Sequence, residues 1–146
     1  MLSLIILGII ILVTLIIIRK RGESYNQEDL ELIKNIKDKL HTINPKYCDL
    51  NIYPGNESVT MNKKYIYLCL KDVNNQYYSL DILLYVTLHE IAHTMSNSYS
   101  THSHNKEFYE NFEYILNEAI NKGILFKNIK IPKDYCKLDH KKYIFF

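Results

Sequence analysis

The pentapeptide His89-Glu90-Ile91-Ala92-His93 constrains this chain more than any other stretch of it. Its flanks read as helix: Ser79 is an N-cap, Asp81 falls in the first turn, and the helix is expected to run through Met95. On a helix, two imidazoles four positions apart differ by about 40° around the axis and stand one turn apart, so both rings can reach one ion. Counted at about 100° per residue, Leu84, Leu88, Ile91 and Met95 gather on the side away from His89 and His93. The helix is therefore expected to pack one face and to offer both histidines from the other.

Two imidazoles are an incomplete ligand set. Zinc accepts neutral imidazole nitrogen at about 2.0 to 2.1 Å, and a catalytic zinc takes three protein ligands and keeps a fourth position for water. His102 and His104 follow a short polar loop, so that four of the six histidines fall within sixteen residues. His104 is preferred as third ligand, because Phe108 one turn later would pack inward and fix the start of a second helix. His102 is the alternative, and Glu113 on the second helix is another, with Glu110 close by. Glu107, Glu110 and Glu113 also read as the solvent face of that helix. Glu90 is not needed as a ligand and is placed to accept a proton from the attacking water and later deliver it to the leaving amine. Tyr99, His102 and Tyr109 are candidate donors to the oxyanion that such chemistry develops. His41 and His140 read as ordinary surface residues.

Taken together, His89-Glu90-Ile91-Ala92-His93, a loop, and His104-Asn105-Lys106-Glu107-Phe108 resemble the small zincin metallopeptidases of the SprT-like and WLM type, in which a histidine followed by an aromatic residue opens the second helix. The likeness covers about Tyr65 to Ala119. It implies His89, His93 and His104 as ligands, Glu90 as catalytic base and Zn2+ as the cofactor. It also implies a polypeptide substrate. SprT-like and WLM proteins are linked to proteolysis of DNA-bound proteins, and here this chain departs from them. Residues 22–121 carry a charge near −6, and the seven lysines of residues 122–146, set against Asp134 and Asp139, read as a solvated face. Nucleic acid is accordingly disfavoured as a partner.

The remainder of the chain fits one small α+β domain, with a small antiparallel or mixed sheet, the central helix and the helix after it. Asn26 to Asp29 reads as a helix start, with Leu30, Ile33 and Leu40 at helical spacing and Pro45 as its end. Asp49 to Tyr53 and Ser58 to Met61 are short strand candidates. After a turn at Asn62-Lys63-Lys64, Tyr65 to Leu70 is the strongest β-run. The stretch Tyr65 to Lys71 is expected to form the sheet edge that receives a peptide. A second helix is expected from Asn105 to Lys122 and a stop at Gly123. Cys48, Cys69 and Cys136 match no zinc or redox spacing and read as buried free thiols.

Ahead of this domain, residues 2–18 form a continuous apolar run closed by Arg19, Lys20 and Arg21. At about 1.5 Å of rise per residue it would span about 26 Å, enough for a thin bilayer core. The sequence thus predicts residues 1–21 as a single transmembrane anchor and residues 22–146 as the zincin-like domain. The cations place the N-terminus outside and the domain in the cytoplasm. The leading functional expectation is a membrane-anchored zinc endopeptidase. The alternatives are a non-catalytic, zinc-stabilised interaction domain tethered to a membrane, and a nucleic-acid or lipid-headgroup binder acting through the basic tail. Oligomeric state is not legible.

Overall fold

The computed structural model describes residues 25–97 and 104–137. Helix α1 (Gln27–Ile43) starts where the Asn26 side chain accepts a hydrogen bond from the Glu28 amide, and it buries Ile33, Ile36, Leu40 and Ile43 along one stripe. A short 3-10 turn beginning at Pro45 leads into three strands, β1 (Asn51–Pro54), β2 (Val59–Met61) and β3 (Tyr65–Leu68). Helices α2 (Leu80–Met95) and α3 (Lys106–Asn121) follow, capped by the side chains of Ser79 and Asn105. Gly123, at a positive φ of 67°, ends α3.

The sheet is mixed, in the order β1-β3-β2, with β3 parallel to β1 and antiparallel to β2. Register puts Ile52, Ile66 and Thr60 in one row across it, and all three are buried. The alternate row, Tyr53, Tyr67 and Val59, belongs to the other face, where the two tyrosine rings meet at 5.9 Å. Gly55 lies so near this row that a Cβ there would stand 2.9 Å from the Tyr67 Cβ, so the turn after β1 admits no larger residue without a shift. The hairpin from β2 to β3 turns through Asn62 and Lys63, both at positive φ. Helix α2 packs on the β2-β3 side of the sheet and against α1 and α3.

Four expectations are corrected. The β3 run is the centre of the sheet and not its edge, because the chain crosses from β1 past it before the β2 hairpin returns. Helix α2 does not pack one face only: every residue from Leu83 to His93 is buried, since the sheet, α1 and α3 surround it, whereas Met95 is 41% exposed. Cys69 and Cys136 are not free thiols but a disulfide joining positions 67 residues apart, and Cys48 is the free cysteine. The fourth concerns the architecture, expected as a domain behind a membrane-spanning helix. The described fold is α+β with a small mixed sheet, and among the described residues no helix is long and apolar enough to cross a membrane. Helix α2 is the most apolar, yet its 16 residues reach about 24 Å against a hydrocarbon core of about 30 Å, and it carries Asp81, His89, Glu90 and His93. The apolar run at residues 2–18 lies outside the described residues.

Candidate metal centre

His89 and His93 project from α2 one turn apart, and His104 stands immediately before the N-cap of α3. Their ring centroids form a triangle with all three sides at 5.0 Å. One ligand nitrogen from each ring lies within 4.8 Å of the others, and Nε2 of His89 and Nε2 of His104 are 3.2 Å apart. His89 and His93 are buried and His104 is half-buried. Three imidazoles so close together can hold a metal ion. The spacing suits a shared ion: two nitrogens about 2.0 to 2.1 Å from a common tetrahedral ion stand about 3.3 Å apart, close to the separation of the His89 and His104 nitrogens.

The surroundings hold this triangle in place. The Phe108 ring lies 4.9, 4.4 and 4.6 Å from the rings of His89, His93 and His104, so one buried apolar side chain braces all three. Phe112 adds an edge contact to His89 at 5.2 Å, and itself meets the buried Tyr85 at 5.3 Å. Burial pushes the Tyr85 hydroxyl up to about 12. The end of α2 is tied to the start of α3 by Glu107, whose two carboxylate oxygens accept from the backbone and side-chain nitrogens of Asn97 at 3.0 and 2.9 Å. Lys63 donates to the Ser96 carbonyl at the same helix end, where a cation also suits the helix dipole.

Glu90 faces a different neighbour. Its backbone carbonyl and its Oε2 both lie 2.8 Å from the Thr60 hydroxyl of β2, and both residues are about 1% exposed. Behind Thr60, a closed ring of hydrogen bonds anchors the start of the same strand. Cys69 N–H donates to Ser58 Oγ at 3.1 Å, and Tyr135 O–H donates to the Cys69 carbonyl at 2.9 Å. The 2.8 Å contact between Ser58 and Tyr135 must then be donated by Ser58, because the one phenolic proton is already used. The neighbouring Cys136 fastens this ring covalently to Cys69. Burial is the main cause that raises the Tyr135 pKa, against the Ser58 hydrogen bond, and the Glu90 charge adds to the rise.

Among the residues expected to carry chemistry, His89, His93 and His104 are brought together. Glu113 is exposed and outside the cluster, and Glu110 pairs with Lys106 at 3.4 Å. Glu107 is half-buried and clamps the exposed Asn97. Tyr109 is half-buried, its ring 6.2 Å from that of His104. Tyr99, His102 and His140 lie outside the described residues. His41 is exposed, 3.5 Å from the Cys48 sulfur. Sequence reasoning missed Thr60, Ser58 and Tyr135. The signal for Thr60 was a lone hydroxyl in a row otherwise occupied by isoleucine. The tail offered Ile131 and Tyr135 among its lysines, and both are buried.

No family model matches the chain. It is similar to uncharacterized protein 136R of Invertebrate iridescent virus 6, at 34% identity over 92 residues, which cover 61% of this chain and 50% of that protein. It is also similar to uncharacterized protein 042R of Invertebrate iridescent virus 3, at 34% over 93 residues, covering 63% of this chain and 57% of the relative. The chain thus spans about half the length of the curated relatives it matches. No solved structure matches it.

Proposed function

We propose that this domain is a zinc-dependent endopeptidase of the zincin type, with His89, His93 and His104 as ligands and Glu90 as general base. The observation that carries the reading is the convergence of three imidazole nitrogens, two from one turn of a helix and one from the start of the next, with a carboxylate adjacent in sequence to the first. Bound zinc would supply a Lewis acid that polarises a scissile carbonyl and acidifies water. Three imidazoles favour it over hard cations, which prefer oxygen ligands.

The chain's own groups account for the remaining steps. Glu90 takes a proton from the attacking water as its oxygen joins the carbonyl carbon. The carboxyl then returns that proton to the amine nitrogen as the C–N bond breaks, so one water is consumed per peptide bond and Glu90 ends as it began. Phe108 and Phe112 exclude bulk water from the rear of the histidine triangle, which strengthens the electrostatics there.

A second reading, a non-catalytic zinc-held interaction domain, draws on a specific observation: Glu90 is 1% exposed and hydrogen-bonded to Thr60. Glu90→Gln separates the two. The amide is nearly isosteric, so zinc content and melting temperature are expected to hold, while cleavage of a disordered casein-type substrate falls about 100- to 10,000-fold. Equal rates in the two proteins would remove Glu90 from catalysis and favour the interaction domain.

A further inference from the structure

A threonine hydroxyl has one proton to give. That of Thr60 is within 2.8 Å of two acceptors on the same residue, the Glu90 main-chain carbonyl and the Glu90 Oε2. A glutamate side chain has three rotatable bonds and disperses over many rotamers when unbound. Sharing that one proton between both ends of the residue as a three-centre bond, the hydroxyl holds the carboxyl folded back toward its own backbone, in a single direction relative to α2. The same helix segment carries His89 and His93, so that direction is also set relative to the histidine triangle.

The hydroxyl is itself immobilised from both sides. Thr60 pairs in register with Ile66 at the centre of the sheet. Two residues before it, Ser58 is locked in the ring with Tyr135 and Cys69. Three residues after it, Lys63 reaches across to Ser96 at the end of α2. The short edge strand is thus fastened to the rest of the domain at each end, with Thr60 between the fastenings and aimed at Glu90.

From this geometry we infer that Thr60 is a positioning residue for Glu90, holding the carboxyl where it can exchange a proton with water at the histidine triangle. The inference rests on the reading of Glu90 as general base. An ordinary buried hydroxyl would also seek a partner, and the helix carbonyl alone would satisfy it. The additional contact to Oε2 is what gives Thr60 a role in the chemistry.

The test uses the full-length, zinc-loaded chain and its variants Thr60→Val, Thr60→Ser and Glu90→Gln. Valine keeps the shape and removes the hydroxyl, whereas serine keeps the hydroxyl. With casein as substrate, Thr60→Val is expected to lower kcat about 10- to 100-fold, the range for outer-shell partners of metal sites, with KM and zinc content unchanged. Serine should restore most of the loss, which a purely structural role would not produce. In the Glu90→Gln background, Thr60→Val should cost nothing further, because the two act as one unit.

A second readout needs no turnover. Acetohydroxamic acid offers a proton to a carboxylate beside its chelating oxygens, so calorimetry should show weaker binding in Thr60→Val and Glu90→Gln alike and recovery in Thr60→Ser. If Glu90→Gln weakens either readout and Thr60→Val leaves both at the parent value, the inference is overturned and the peptidase reading stands. If Glu90→Gln is itself without effect, the reading beneath it fails and the inference fails with it. Should valine prevent folding, Thr60→Ala carries the same comparison against serine.

Discussion

Two buried polar clusters flank the sheet and the central helix, and they are built on opposite principles. In the ring of Ser58, Tyr135 and Cys69, each donor meets an acceptor and the circuit closes on itself. Between α2 and α3, three imidazoles bring ring nitrogens together. A neutral imidazole has one acceptor nitrogen, and three rings whose nitrogens lie within 4.8 Å of one another can form a ligand set. The ring spends its hydrogen-bonding capacity on the fold, since its contacts join residues 66 and 77 positions apart. The triangle spans only 15 positions from His89 to His104, and its ring nitrogens are of a type and spacing that can hold a metal ion.

The strongest way to break this contrast is to remove one member of the triangle. His104→Ala is expected to abolish stoichiometric zinc, with affinity falling more than the roughly 10- to 100-fold that outer-shell changes cost. His104 precedes α3 and is half-buried against Phe108, so the metal-free variant should lose only about 1 kcal/mol relative to the metal-free parent. Elemental analysis and metal-free denaturation read the two effects separately. His102→Ala and Glu113→Ala serve as comparisons and should keep their zinc. Retained zinc in His104→Ala, with loss in either comparison, would reassign the third ligand.

The different spans of the two clusters also explain what could be read in advance. Local rules placed α2 and α3: Ser79 and Asn105 cap them through side-chain bonds to Ile82 and Phe108 amides, and Gly123 stops the second. With two helices placed, the short connection left His104 little choice but to return near His93. The Cys69–Cys136 bond and the Tyr135 ring obey no local period. Their partners come from distant parts of the chain, so a segment read from its lysines as a solvated face also holds the buried Ile131 and Tyr135. The strand order was illegible for the same reason. Periodicity marks Tyr65 to Leu68 as β, but which strand lies at the edge depends on a crossing that spacing does not encode.

Opening the disulfide attacks the other cluster. A covalent link across 67 residues removes enough freedom from the unfolded chain to stabilise the fold by about 4 kcal/mol in the loop-entropy description. Cys136→Ser is expected to lower denaturant stability by about that amount. Zinc stoichiometry should survive at temperatures well below the new melting point, because the triangle shares no side chain with the ring. If Cys136→Ser loses zinc while still folded, the two clusters are coupled and the separation drawn between them is wrong. A denaturation midpoint that does not move would show that the bridge does not form in the protein.

The smallest effect belongs to the Tyr135 hydroxyl, and it sharpens the comparison through pH. Tyr135→Phe leaves the ring volume in place and breaks the hydrogen-bonded circuit, taking the donor from the Cys69 carbonyl and the acceptor from Ser58, both buried. Unsatisfied buried groups of this kind cost about 1 to 3 kcal/mol, which should appear at neutral pH. The alkaline limb carries a second signature. Burial raises the Tyr135 pKa in the folded state above its ordinary value of 10.0, so the unfolded chain loses this proton first. Stability from the group is therefore complete below about pH 10 and declines as pH rises through the folded value. Tyr47 and Tyr85, both raised to about 12, slope the same way. Tyr135→Phe should accordingly be less stable at pH 7 but lose stability less steeply above pH 10, as followed by denaturant melts across that range. Parallel curves for the two proteins would mean that the hydroxyl titrates alike in both states and that the ring is not closed to water.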